Sequence, residues 1–276
     1  MAARNARGSR RARGDREDPQ ARIEQVGTAT NSWIVGDDDE VIVIDAGQDA
    51  AAVLEAVGER EVAAVICTHG HARHVAAAVE VAARDEAPVA LHTADRGLWR
   101  DEHSDEEPEI EMEDGGIFEI AGASLEVMVA PGHTPGSVCL YSEDLDAVFT
   151  GDVLTASGPV AHDGEFPDFS RQLSSIGEHL LTLPGQTRVL PGHGKELTIA
   201  TAEKRFDKWV AAGPSLLTAE PEDDEPDDED VEEPDEEEDE DFDDEEEDFD
   251  EDEEDEDFDE DEEDDEFDEE DEDEEP

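Results

Sequence analysis

From residue 220 to its end the chain carries 48 of its 87 acidic residues and no lysine or arginine. A run of like charge repels itself, and one this poor in apolar side chains cannot offset the entropy lost on ordering. Residues 214–276 are therefore expected to form a disordered polyacidic tail, beginning at Pro214 where acidic low complexity sets in. Phe242, Phe249, Phe258 and Phe267 stand singly in that polyanion. None can seed a core, and each reads as a sticker for a partner. At the other end, Met1–Arg22 holds seven arginines and no apolar run. It lacks a signal-peptide core and the apolar face of an organellar transit peptide, so 1–21 is expected to be a disordered Arg-rich segment. Folding is left to residues 22–213, which carry most of the Val, Ile, Leu and Ala. The formal net charge of −69 is mostly a property of the tail.

The two cysteines, Cys67 and Cys139, form no C-x-x-C pair. A disulfide framework is not expected, and a reducing, cytoplasmic setting is the simple inference. No apolar run approaches the roughly 18 residues of a membrane span. A solvated solubility device is the plain reading of the tail. Its functional alternative is a basic protein partner, held by contacts that weaken steeply with salt.

Between the tails, strand-like and helix-like segments alternate. Ser32–Val35 and Val41–Ile44 read as strands around the acidic turn Gly36-Asp37-Asp38-Asp39, and Val62–Cys67, Val89–His92, Val138–Tyr141, Ala147–Phe149 and Arg188–Leu190 as further strands. Phe118–Ile120 and Ser124–Val129 read as a hairpin, and Ala50–Glu59, Val75–Arg84, Phe169–Leu183 and Ile199–Ala212 as helices. Many short strands mixed with helices imply a layered α/β domain with helices covering sheet faces. Strand order is not legible in this pattern.

The chemistry is concentrated in loops that follow strand-like runs. Thr68-His69-Gly70-His71-Ala72-Arg73-His74 comes first, then Pro131-Gly132-His133-Thr134-Pro135-Gly136-Ser137, Thr150-Gly151-Asp152, and Pro191-Gly192-His193-Gly194. Loops at strand ends bring distant ligands together on a rigid scaffold. Neutral imidazoles with a carboxylate suit Zn²⁺ or Fe²⁺. His69 and His71, two apart, can reach one ion from an extended strand end, whereas His74 falls at a helix start and points differently. A lone loop histidine is usually exposed or hydrogen-bonded. Five of them with an aspartate, in this order among these glycines, point to a metal site.

This ordered set resembles the metallo-β-lactamase superfamily, and Pro-Gly-His-Thr-Pro-Gly-Ser is more similar to its glyoxalase II-like, thioester-hydrolase branch than to true β-lactamases. The resemblance spans about residues 22–213. It implies an αββα sandwich with metal at one edge between two sheets. By that resemblance His69, His71 and His133 bind a first metal, Asp152 bridges, and His74 and His193 complete a second site. Asp45, at an early strand end, matches an acidic residue of many members; it is expected either to hold the histidine loop or to serve only as a strand-end turn residue.

One position departs. Where the family carries His-x-His-x-Asp-His, this chain has Arg73, and a guanidinium cannot ligate a metal. One tight metal, with a second position weak or empty, is expected. Turned inward, Arg73 would hold a substrate carboxylate; turned outward, it is a surface residue. The expected activity is hydrolysis of a small thioester or ester, with zinc-bound hydroxide as nucleophile and Asp152 orienting it. The alternative is a non-catalytic member whose acidic tail is the working part. His162, in the Gly-Pro-rich loop after Asp152, is a candidate substrate contact. No basic cluster lies beside these motifs, which disfavours nucleic acid as substrate.

Overall fold

The computed structural model describes residues 21–27, 29–161 and 168–214. His162, the polyacidic tail after Pro214 and the Arg-rich start before Ala21 lie outside the described residues.

Two six-stranded sheets carry the fold. The first runs in spatial order β1 (Arg22–Val26), β2 (Ser32–Gly36), β3 (Glu40–Ile44), β4 (Glu61–Ile66), β5 (Val89–His92) and β6 (Ile110–Met112). Its β3 to β6 neighbours pair in parallel. Parallel neighbours need crossovers, and α1 (Ala50–Val57), α2 (Ala72–Val75), α3 (Ala78–Ala83) and α4 (Arg96–Glu102) lie in those connections. The second sheet contains β7 (Ile117–Ile120), β8 (Ala123–Val129), β9 (Val138–Ser142), β10 (Ala147–Gly151), β11 (Arg188–Pro191) and β12 (Leu197–Thr198), again in chain order across the sheet. There α5 (Phe169–Ser175) lies within the β10–β11 crossover, and α6 (Ile199–Ala212) follows β12.

Strand periodicity builds the layers. Along β3, Ile42 and Ile44 face the cluster between the sheets, and Val41 and Val43 face the helices. Along β10, Ala147 and Phe149 face the first cluster while Val148 faces the other side. Both faces of these strands are thus apolar, as in any sheet covered twice. Trp33 and Phe149 meet edge-on across the sandwich at 6.0 Å. Val53 and Val57 of α1 pack on the outer face of the first sheet with Val81 of α3. Ile199, Ala202 and Trp209 of α6 pack on the second. The order helix, sheet, sheet, helix is the expected αββα sandwich.

The strands and helices read from the sequence recur with ends moved by a residue or two, with two instructive differences. The helix expected over Val75–Arg84 is two short helices, α2 and α3. The chain after β3 inserts Gly47 there, so that the Gly47 N–H donates to the His74 carbonyl and the Ala77 N–H to the Gly47 carbonyl. The helix expected over Phe169–Leu183 passes into a wider π-type turn at Ile176–Leu180. The hairpin of β7 and β8 closes on Ala121-Gly122, both at positive φ, the geometry that two-residue turns require.

Candidate metal centre

The motif loops all leave the sandwich at one edge. Asp45 follows β3, the His69 loop follows β4, the His133 loop joins β8 to β9, Asp152 follows β10 and His193 follows β11. Parallel pairing of β3 with β4 and of β10 with β11 is what aligns these C-terminal strand ends.

Two overlapping sets of donor atoms result. His69, His71 and His133 form one, and His69, His74 and Asp152 form the other, each set lying within 4.8 Å. His71 Nδ1 stands 3.1 Å from His133 Nε2. Two nitrogens bound tetrahedrally to one Zn²⁺ would be roughly 3.3 Å apart, from metal–nitrogen bonds of about 2.05 Å. Asp152 sits between the sets, with Oδ2 3.4 Å from His74 Nε2 and 3.6 Å from His133 Nε2. His193 belongs to neither set. Its Nδ1 contacts Asp152 Oδ1 at 2.6 Å, and its Nε2 is 3.4 Å from the Thr30 hydroxyl.

The buried imidazoles are held by one nitrogen and offer the other. His133 Nδ1 faces the Val160 carbonyl at 3.0 Å, so Nδ1 carries the proton. Asp45 accepts hydrogen bonds from the Thr68 N–H and the Thr68 hydroxyl, both at 2.7 Å. That hydroxyl, its proton committed to Asp45, can only accept from His69 Nδ1 at 3.1 Å. Asp45 also accepts from His74 Nδ1 at 2.9 Å. One carboxylate therefore orients two histidines. It does so from a backbone at φ 53°, a left-handed conformation that aspartate tolerates better than most residues. His69 Nε2 and His74 Nε2 are left buried without a hydrogen-bond partner. A buried nitrogen so aimed is costly unless something binds it, and a divalent cation fits this donor set.

The electrostatics divide the two sets. Burial, reinforced by His74 and His133, holds His69 well below the ordinary histidine range. Burial would lower His74 as well, but the charges of Asp45 and Asp152 outweigh it and raise His74 to about 10. Burial would raise Asp152, yet His74 and the His193 hydrogen bond hold it well below the usual carboxylate range.

Arg73 stands in α2 between two of these histidines with its side chain exposed. Among the described residues its guanidinium has no hydrogen-bond or ion-pair partner. The motif reading missed three buried residues that hold the loops. Asn31 donates its side-chain amide to the Pro191 and Gly194 carbonyls at 2.9 and 3.0 Å, fixing the His193 loop. Gln172 of α5 donates to the Asp152 and Val153 carbonyls at 3.2 and 3.0 Å. Asp95 lies under the first two histidine loops. These residues belong to no local motif, so a single sequence offers no signal for them.

Cys67 and Cys139 are free and buried. Among the described residues no helix is long and apolar enough to cross a membrane.

Residues 26–204 match the family model described as the Metallo-beta-lactamase superfamily. A probable metallo-hydrolase of Bacillus subtilis, YqgX, is 32% identical over 187 residues, covering 63% of this chain and 89% of its own. The hydroxyacylglutathione hydrolase GloC of Haemophilus influenzae is 28% identical over 194 residues, covering 65% and 91%. The solved structure of TTHA1623 in a di-iron-bound form superposes with a TM-score of 0.57 at 26% identity, covering 66% of this chain and 97% of that one.

Proposed function

Because the chain belongs to the metallo-beta-lactamase superfamily, we propose that it is a metal-dependent hydrolase of a small thioester or related ester, with one tightly held ion. The observation that carries this reading is the buried Nε2 of His69, left without a hydrogen-bond partner while the ring is anchored through its other nitrogen. His69, His71 and His133 would hold the tight ion. The second position, built on His74 and Asp152 with His193 beside them, would be weak for two reasons. Arg73 takes the place of an anionic ligand, and His74 holds a proton between two carboxylates.

A bound Zn²⁺ or Fe²⁺ would polarise the substrate carbonyl and lower the pKa of a coordinated water. Asp152, held ionised, accepts hydrogen bonds and so orients the attacking water through its proton. A carboxylate of such depressed pKa is a weak base, so orientation is its larger contribution. Asp45 fixes the tautomers of His69 and His74. Arg73 is exposed, the outward arrangement, so it acts as a surface residue that leaves the second position short of an anionic ligand. The thioester class is supported by the likeness to the hydroxyacylglutathione hydrolase and by the Pro-Gly-His-Thr-Pro-Gly-Ser loop.

The test is a metal count on protein purified without added metal, followed by turnover of a thioester panel. About one Zn or Fe per chain with thioester cleavage is expected. Less than about half an ion per chain, with no turnover after reloading, refutes the proposal.

A further inference from the structure

Asp95 is fully buried, at 0% exposure, and belongs to neither set of metal-ligating atoms. Its Oδ2 accepts hydrogen bonds from the Gly70 N–H at 2.9 Å and the Thr134 hydroxyl at 2.7 Å. Its Oδ1 accepts from the Gly136 N–H at 2.7 Å. Gly70 lies between His69 and His71, whereas Thr134 and Gly136 directly follow His133. One carboxylate therefore ties the loop bearing two histidines of the first set to the loop bearing the third. Those loops issue from different sheets, one after β4 and the other between β8 and β9, so the tie spans the sandwich edge.

The neighbouring glycines record how close this contact is. A Cβ at residue 70 would fall 2.9 Å from the Asp95 carbonyl oxygen and 3.2 Å from its Cβ. A Cβ at residue 136 would fall 2.6 Å from both Cγ and Oδ1 of Asp95. The distances at Gly136 are shorter than packed atoms tolerate, so the glycine of Thr-Pro-Gly-Ser leaves room for the Asp95 side chain, whereas Gly70, whose Cβ would also fall 2.8 Å from Leu98 Cβ, leaves room for the backbone segment that bears Asp95. The Thr134 hydroxyl also contacts Ser137 Oγ at 2.7 Å, and that oxygen accepts from the Thr134 N–H at 3.0 Å. The His133 loop is thus stiffened around the same anchor.

We propose that Asp95 is a positioning residue of the metal centre: by clamping both loops it sets the spacing of His71 Nδ1 and His133 Nε2, 3.1 Å in this structure. The inference rests on the assignment of His69, His71 and His133 as ligands made above. A carboxylate suits the task because it is acceptor-only and can take several donors at once. An amide in its place must turn its NH₂ toward either the Gly136 or the Gly70 N–H, so one of the two backbone ties is lost.

The test uses Asp95→Asn in the full chain, with Co²⁺ added to the metal-free protein and followed by its visible d–d absorption. The expected result is at least about tenfold weaker Co²⁺ binding, the size typical of losing a partner behind a ligand. The d–d band should change in intensity and position, while the far-ultraviolet circular dichroism of the metal-free protein is retained. Should Asp95→Asn fail to fold, Thr134→Val removes one of the three bonds and leaves both backbone ties. It is expected to weaken Co²⁺ binding several-fold and move the band in the same direction. Binding within twofold of wild type with a superimposable band overturns the proposal, as does a lowered melting temperature with an unchanged band, which would mark a purely structural role. Wild-type protein that takes up no Co²⁺ overturns the ligand assignment itself, a result distinct from equal binding by wild type and variant.

Discussion

The second metal position should have to compete with a proton. In the metal-free fold His74 is raised from 6.5 to about 10, because the charges of Asp45 and Asp152 outweigh the opposing effect of burial. Its Nδ1 proton is engaged by Asp45, so the proton an ion must displace is the one on Nε2. At about pH 7 the group lies about three units below that value, and removing the proton costs about 4 kcal/mol, about a thousandfold in apparent affinity. The affinity of any ion that takes His74 Nε2 should therefore rise about tenfold per pH unit, levelling near pH 10. His69 is held neutral by burial, so it releases no proton to the first ion. The assay is calorimetric titration of metal-free protein with Zn²⁺ in buffers of different ionisation enthalpy, at several pH values. About one proton released from His74 with the second equivalent is the expected result. A second-ion affinity independent of pH would refute the reasoning, because it would mean that His74 carries no extra proton. The same shift acts on folding. The folded-state value lies above the unfolded one, so its stabilisation is complete below about pH 6.5. It is lost as pH rises toward about 10, at most about 5 kcal/mol over the gap. Asp152 acts in the opposite direction. Its folded-state value is depressed, so its contribution is present above the unfolded carboxylate range and lost as pH falls through the folded value.

Further outcomes follow from the same geometry. Arg73→Asp restores an anionic ligand beside His74 and should raise the metal content measured by mass spectrometry from about one toward two ions per chain; a count that stays at one means Arg73 is not what limits the second position. Asp45→Asn removes a charge facing His74 and should lower second-ion proton release, with roughly 10–100-fold weaker retention of metal in chelator competition. Phe149→Ala opens a void between the sheets at a fully buried side chain, and denaturant unfolding should register a loss of about 3–5 kcal/mol. Burial raises the thiols of Cys139 and Cys67 well above the ordinary range. Both should resist thiol reagents in the native state and react on unfolding.

Much of the layering was legible in the residues themselves. Runs such as Val41–Ile44 and Ala147–Phe149 are apolar at consecutive positions, which marks strands covered on both faces, and Ala121-Gly122 announces a hairpin. Less was legible where local pattern is overruled by distant contacts. The break between α2 and α3 comes from Gly47, far upstream in sequence, and the edge strands β1 and β6 are short and mixed in polarity. At the site, the histidines and Asp152 stand out because ligands must be of a few residue types and sit beside glycines. Their holders do not. Asn31, Asp95 and Gln172 act through backbone groups of loops remote in sequence, and any single asparagine, aspartate or glutamine looks alike until the chain is folded.

The histidine loops by themselves determined that this chain gathers metal ligands, and Arg73 by itself determined that one ligand of the familiar set is absent. The tertiary structure decided how those ligands are divided. It made His69 common to two donor sets, turned His193 onto Asp152, and left the Arg73 side chain exposed, with no protein partner among the described residues. It also enclosed His74 between two carboxylates. The reason is physical: spacing along a chain lists candidate donors, but which nitrogen is protonated, buried or aimed depends on groups brought close only by packing two sheets face to face.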